Sequence, residues 1–101
     1  EIGSFSIIDW TGYPKGYPKP IGPFRLLEGS EYDSARKIAN AVNAALRKSN
    51  PSKFKGTEIH ELKTVKFGGS PTALGNKFKL DPLTHRLFNR FWDKMKRDLR
   101  K

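Results

Sequence analysis

His60 and His85 are the only two histidines of the chain, and the residues around them could share their work: Glu58 and Glu61 flank His60, and Asn76 lies between the two imidazoles. Imidazoles, carboxylates and an amide in one domain form the side-chain set that phosphodiester cleavage needs. A base activates water, and a cation or imidazolium stabilises the pentacoordinate phosphate and the leaving oxygen. The plain alternative is a pair of surface or capping histidines, which are commoner than catalytic ones. The spacing of His60, Gly68-Gly69, Asn76 and His85 favours the functional reading, provided that the local fold brings them together.

The elements that must do so can be read from the chain. Residues 57–65 (TEIHELKTV) mix β-branched with alternating apolar residues, Gly68-Gly69-Ser70-Pro71 breaks the chain, and residues 77–80 (KFKL) resume extended character. Two strands joined by a broad loop are predicted, with His60 near the end of the first and Asn76 at the start of the second. The glycine pair is read as shaping that loop rather than binding phosphate. Asp81-Pro82 reads as an N-cap followed by the first helical position, and Leu87, Phe88, Phe91, Met95 and Leu99 carry helical periodicity toward Lys101. His85 then falls in the first turn of that helix, and a hairpin packed on the helix would gather His60, Asn76 and His85. Phe88, Phe91 and Trp92 are assigned to the core by the same spacing.

Upstream, Ala35, Ile38, Ala39, Val42, Ala45 and Leu46 recur at helical spacing, so an amphipathic helix is predicted over residues 30–50. Ser30 or Asp33 would cap its start, and Asn50-Pro51 would end it. Residues 5–10 (FSIIDW) read as a short strand. Residues 11–23 hold four of the seven prolines, and Gly12-Tyr13-Pro14-Lys15 is repeated as Gly16-Tyr17-Pro18-Lys19. This predicts an extended, polyproline II-like arm wrapped on the domain, its tyrosines packing on the core or stacking on bases.

With 101 residues the chain supports one domain, and its 20 Lys and Arg against 10 Asp and Glu give a net charge of +10, suited to a polyanion. Nucleic acid fits better than a membrane surface, because the basic residues do not gather opposite a strongly apolar helical face. No long apolar run or signal-like segment appears. The chain begins at Glu1 rather than Met, which reads as a piece of a larger protein. Without cysteine, any metal must be held by nitrogen and oxygen ligands.

Taken together, Glu58-Ile59-His60-Glu61, Gly68-Gly69, Asn76, and His85 with Asn89 four residues later resemble the HNH, or His-Me finger, motif of colicin- and pyocin-type DNases. The wording IHELKTVKFGGSPTALGNK also resembles the C-terminal toxin domains of bacterial polymorphic toxins, including the LXG type. The resemblance covers roughly the last 45 residues. It implies that His60 binds metal, that Glu61 holds the place of the general base, that Asn76 holds the loop and orients the base, and that His85 and Asn89 are metal ligands one helical turn apart, with Glu58 in support. Two departures stand out. Glu61 replaces a histidine, so the base is either that carboxylate or, if the strand bulges, His60. Asn89 also replaces a histidine, which shifts the site toward oxygen ligation and toward Mg²⁺ or Mn²⁺, with Zn²⁺ or Ni²⁺ as alternatives.

The expectation is therefore an α+β domain with a ββα-metal core over residues 57–101, an added helix, and a Pro-rich N-terminal arm over residues 1–29. The implied function is an antibacterial toxin endonuclease acting on DNA with a divalent metal. Lys66, Arg86 and Arg90 are the expected phosphate contacts. Two alternatives accompany it: a metal-independent ribonuclease with His60 and His85 as acid and base, and an inactive nucleic-acid-binding module. The resemblance further implies a cognate acidic immunity protein, secretion by a bacterium within a larger toxin, and action in the cytoplasm of a target cell; no membrane anchor and a monomeric state are also expected.

Overall fold

A helix whose apolar positions form a single narrow row can bury little more than that row, and α1 (Gly29–Ser49) is of this kind. Ala39 is its one buried residue; Ala35, Val42 and Leu46 are half-buried along the same row, while Ile38, expected on the inward face, is 48% exposed beside it. The helix starts one residue earlier than predicted. Its N-cap is Glu28, with no side-chain cap bond, so neither Ser30 nor Asp33 caps it. Arg25 compensates from outside the helix by a two-pronged bond to Glu31 in the first turn, at 2.9 and 2.6 Å. Asn50 ends the helix as predicted, and Pro51, pre-set for a first helical position, opens the short unpredicted helix α2 (Pro51–Phe54).

The computed structural model describes residues 3–100, so Lys101, expected at the end of the last helix, lies outside them. The remaining elements are β1 (Glu58–Glu61), β2 (Lys77–Leu80) and α3 (Pro82–Leu99). The protein is an α+β domain with one two-stranded antiparallel sheet in the register Glu58↔Leu80, Ile59↔Lys79, His60↔Phe78 and Glu61↔Lys77. The first strand is shorter than the predicted 57–65. After Glu61 the chain leaves the ladder, and residues Val65–Phe67 form a 3₁₀ turn that buries Val65 and Phe67. A second 3₁₀ turn, Leu74–Asn76, leads into β2, so Asn76 precedes the strand instead of beginning it.

Helix α3 begins as its sequence dictates: the Asp81 side chain accepts from the Thr84 N–H at 3.0 Å and from the Thr84 hydroxyl at 2.6 Å. Phe88, Phe91 and Trp92 are buried, with Met95 and Leu99 packed beside them, whereas Leu87 turns partly outward. Phe24, Leu26, Phe67 and Leu80 close the core from the arm, the loop and β2.

The arm is integral to this core. Its predicted strand is reduced to one bridge, Phe5 to Phe24, with both N–H···O bonds at 2.8 Å. The Gly-Tyr-Pro-Lys repeat makes two successive turns in place of continuous polyproline II, and each turn has its glycine in the left-handed region, at φ 91° for Gly12 and 86° for Gly16. Both turns drive a tyrosine edge-on against the same ring, Phe88, at centroid distances of 5.2 Å for Tyr13 and 5.1 Å for Tyr17. No helix among the described residues is long and apolar enough to cross a membrane.

Candidate active site

In a strand, alternate residues share a face. Glu58 and His60 accordingly face α3, and Ile59 and Glu61 face the other way. His60 is buried, its ring lying 4.4 Å from that of Phe88 and 5.2 Å from that of His85, centroid to centroid. Its Nε2 is buried without a hydrogen-bond partner among the described residues. Burial first, and the neighbouring His85 second, hold its pKa down to about 4, so the imidazole is neutral, with a lone pair free, at neutral pH.

His85 reaches the same place from the first turn of α3. Its Nδ1 is bonded to the Glu58 carboxylate across the helix–strand junction, an arrangement that fixes ring orientation and directs Nε2 away from the carboxylate. The structure thus brings Glu58, His60 and His85 together. Phe88, assigned from sequence to the core alone, is also the platform under His60, and its spacing one turn after His85 on α3 was the available signal.

Asn76 stands apart from the imidazoles and closes the loop that follows β1. Its Oδ1 accepts from the Lys63 N–H at 2.8 Å, and its Nδ2 donates to the Lys63 and Ser70 carbonyls, each at 3.0 Å. The Leu62 N–H donates to the Asn76 carbonyl at 2.8 Å, so one residue ties both ends of the loop. Gly69 packs against the same strand end, where a Cβ would collide with the Lys63 carbonyl.

Glu61 is buried on the α1 side. Oε1 accepts from Arg36 at 3.0 Å; Oε2 accepts from Asn43 at 3.1 Å and from Lys77, its register partner, at 3.2 Å. Burial alone would raise its pKa, but the Asn43 hydrogen bond and the charges of Arg36 and Lys77 outweigh that and hold it below the ordinary carboxylate value. Sequence reading missed Arg36, Asn43 and Lys77 as partners, although the alternation of β1 already separates Glu61 from His60.

The other expected contacts are spread out. Asn89 is exposed one turn beyond His85, as are Arg86 and Arg90 on α3, while Lys66 is paired with Asp93 at 2.9 Å. As a cation site, Glu58, His60 and His85 offer two imidazole nitrogens; no group of three or more His, Cys, Asp or Glu among the described residues is arranged to enclose an ion. The unpartnered Nε2 of His60 and the ring of His85, oriented by Glu58, are the nitrogen donors that the site could offer a divalent ion. No family model, curated protein or solved structure matches the chain.

Proposed function

We propose that this domain is a divalent-metal-dependent endonuclease of the ββα-metal type that hydrolyses DNA, and that it serves as the toxic part of a larger bacterial toxin. The observation that carries the reading is the meeting of His60 and His85 across the β1–α3 junction, with the His85 ring held by Glu58. A divalent ion bound there would neutralise phosphate charge and acidify water. His60 and His85 would hold it, each imidazole neutral; for His60, burial already keeps the proton off. Two nitrogen ligands favour Mn²⁺, Zn²⁺ or Ni²⁺ over Mg²⁺.

Glu58 positions His85, and Asn76 keeps the loop after β1 in place beside the site. Arg86 and Arg90, exposed on α3 next to His85, are suited to phosphate contacts. Glu61 is assigned to anchoring α1 on the strand. Both of its oxygens are engaged and its carboxyl is held ionised at a lowered pKa, so it has little tendency to take a proton from water.

The adjacency of two histidines also suits a metal-free ribonuclease, in which one ring must act as an acid. The depressed pKa of His60 weighs against that assignment for this ring. In the toxin reading, a cognate acidic immunity protein would cover the basic α3 surface and protect the producing cell, and the toxin would act in the cytoplasm of a competitor. Incubating the purified protein with supercoiled plasmid and with total RNA, with and without EDTA, tests the proposal. Plasmid nicking that EDTA abolishes is expected. RNA cleavage that persists in EDTA would establish the ribonuclease instead.

A further inference from the structure

The repeated Gly-Tyr-Pro-Lys motif has a geometric consequence that the cleavage site does not use. Because both tyrosines are turned inward onto Phe88, the lysine of each repeat is left outward. The two turns enclose an open concavity of about 530 Å³, lined by Trp10, Tyr17, Lys15 and Lys19 among others, and no carboxylate lines it. Lys19 lies over the Trp10 ring at 5.9 Å, and the same indole is stacked parallel on Phe91.

Elsewhere the protein neutralises many of its cations. Arg36 and Lys77 bond to Glu61, Lys66 to Asp93 and Lys94 to Asp98. Lys15 and Lys19 have no carboxylate partner among the described residues; Lys15 stands in the second turn and Lys19 two residues beyond its end. One buried ring joins the arm to the site: Tyr17 packs edge-on against Phe88, and His60 packs on Phe88. The aromatic rings here are occupied by one another, which leaves little free face for a base; what the surface offers is positive charge on a preorganised concave frame.

We infer that Lys15 and Lys19 form a phosphate subsite that grips the DNA backbone beside the scissile phosphate. This rests on the nuclease reading and extends it by a substrate-binding element outside α3. Two lysines rigidly presented by a folded arm fix the register of the duplex without reading its sequence.

The test is the salt dependence of duplex DNA binding in EDTA, followed by fluorescence anisotropy of a labelled oligonucleotide. Each phosphate contact contributes about 0.9 to the slope of log affinity against log salt. Lys15→Ala with Lys19→Ala should flatten the slope by about 1.8 and weaken binding about 10-fold at low salt. The pair Lys37→Ala with Lys48→Ala, equal in charge and exposed on α1, should change the slope less. An unchanged slope in the arm variant, or an equal loss in the α1 variant, would overturn the subsite. The nuclease reading is judged separately by plasmid cleavage of the parent. A parent that binds DNA through these lysines but never cuts it keeps the subsite and loses the nuclease; one that cuts DNA with the slope unaltered in the arm variant does the reverse. A parent that does not bind DNA loses the subsite, and its plasmid cleavage still decides the nuclease.

Discussion

His60 and Glu61 are adjacent in sequence and face opposite sides of β1, His60 onto Phe88 and His85, Glu61 onto Arg36, Asn43 and Lys77. The alternation of a strand separates them, and each side chain then belongs to a different part of the protein. The consequence is a division of labour, with the imidazole at the candidate site and the carboxylate in a buried polar anchor.

Glu61→Gln should therefore be a stability variant before it is a rate variant. Removing the charge leaves Arg36 and the buried Lys77 without their counter-ion, at a cost of roughly 2–4 kcal/mol. Urea unfolding should show the loss, while cleavage under folding conditions stays within a few-fold of the parent. A fall in rate of about 10²–10⁴-fold at unchanged stability would give the proton-accepting role back to Glu61.

Glu58→Gln should act through His85. A carboxylate behind a metal-binding imidazole typically accounts for about 10–100-fold in metal affinity. Calorimetric titration with Mn²⁺ or Zn²⁺ should show a loss of that size in Glu58→Gln and a larger one in His85→Ala. Equal affinities in the parent and Glu58→Gln would mean that the Glu58–His85 bond is structural only.

Asn76→Ala removes three side-chain bonds that close the loop after β1. With about 1 kcal/mol for each and a further penalty for polar groups left unpaired, a destabilisation of about 3 kcal/mol is expected. The amide of Lys63 should exchange with solvent much faster, and hydrogen exchange read at that residue checks it. Unchanged protection there would contradict the clamp.

Tyr13 gives the arm a pH signature. Its hydroxyl donates to the Pro18 carbonyl at 2.6 Å, and burial pushes its pKa up to about 12. The folded pKa is raised above the unfolded value of about 10, so the stabilisation is complete below pH 10 and is lost as pH rises toward 12. Denaturation midpoints measured between pH 9 and 12 should fall in the parent and fall less in Tyr13→Phe.

Much of the frame could be read from the chain. Asp81-Pro82 marks the start of α3, residues 77–80 form β2, and the 3.6-residue spacing of Phe88, Phe91, Trp92 and Met95 marks the buried face. Local propensity was weaker where tertiary bonds decide the outcome. The predicted strand 57–65 stops at Glu61 because Lys63 is captured by Asn76 rather than by a ladder partner. Neither Ser30 nor Asp33 caps α1, and its first turn is tied through Glu31 to Arg25, outside the helix. The arm's turns depend on Phe88, more than 70 residues away in sequence, which no local pattern could supply. Within the site, the pairing of Glu58 with His85 follows from the alternation of β1, whereas the contact of Phe88 with His60 needed the packed helix.

The rate of plasmid relaxation decides whether His60 and His85 form a metal-dependent centre that cuts DNA. The parent and His85→Ala would be compared at saturating Mn²⁺, Zn²⁺ or Ni²⁺ and again in EDTA, with circular dichroism confirming that the variant folds. Relaxation by the parent only with the metal is expected, with a loss of at least about 10²-fold in His85→Ala, whose side chain is 22% exposed and lies outside the apolar core cluster. A folded His85→Ala that relaxes plasmid as fast as the parent, or a parent that leaves plasmid intact with every metal, would contradict it.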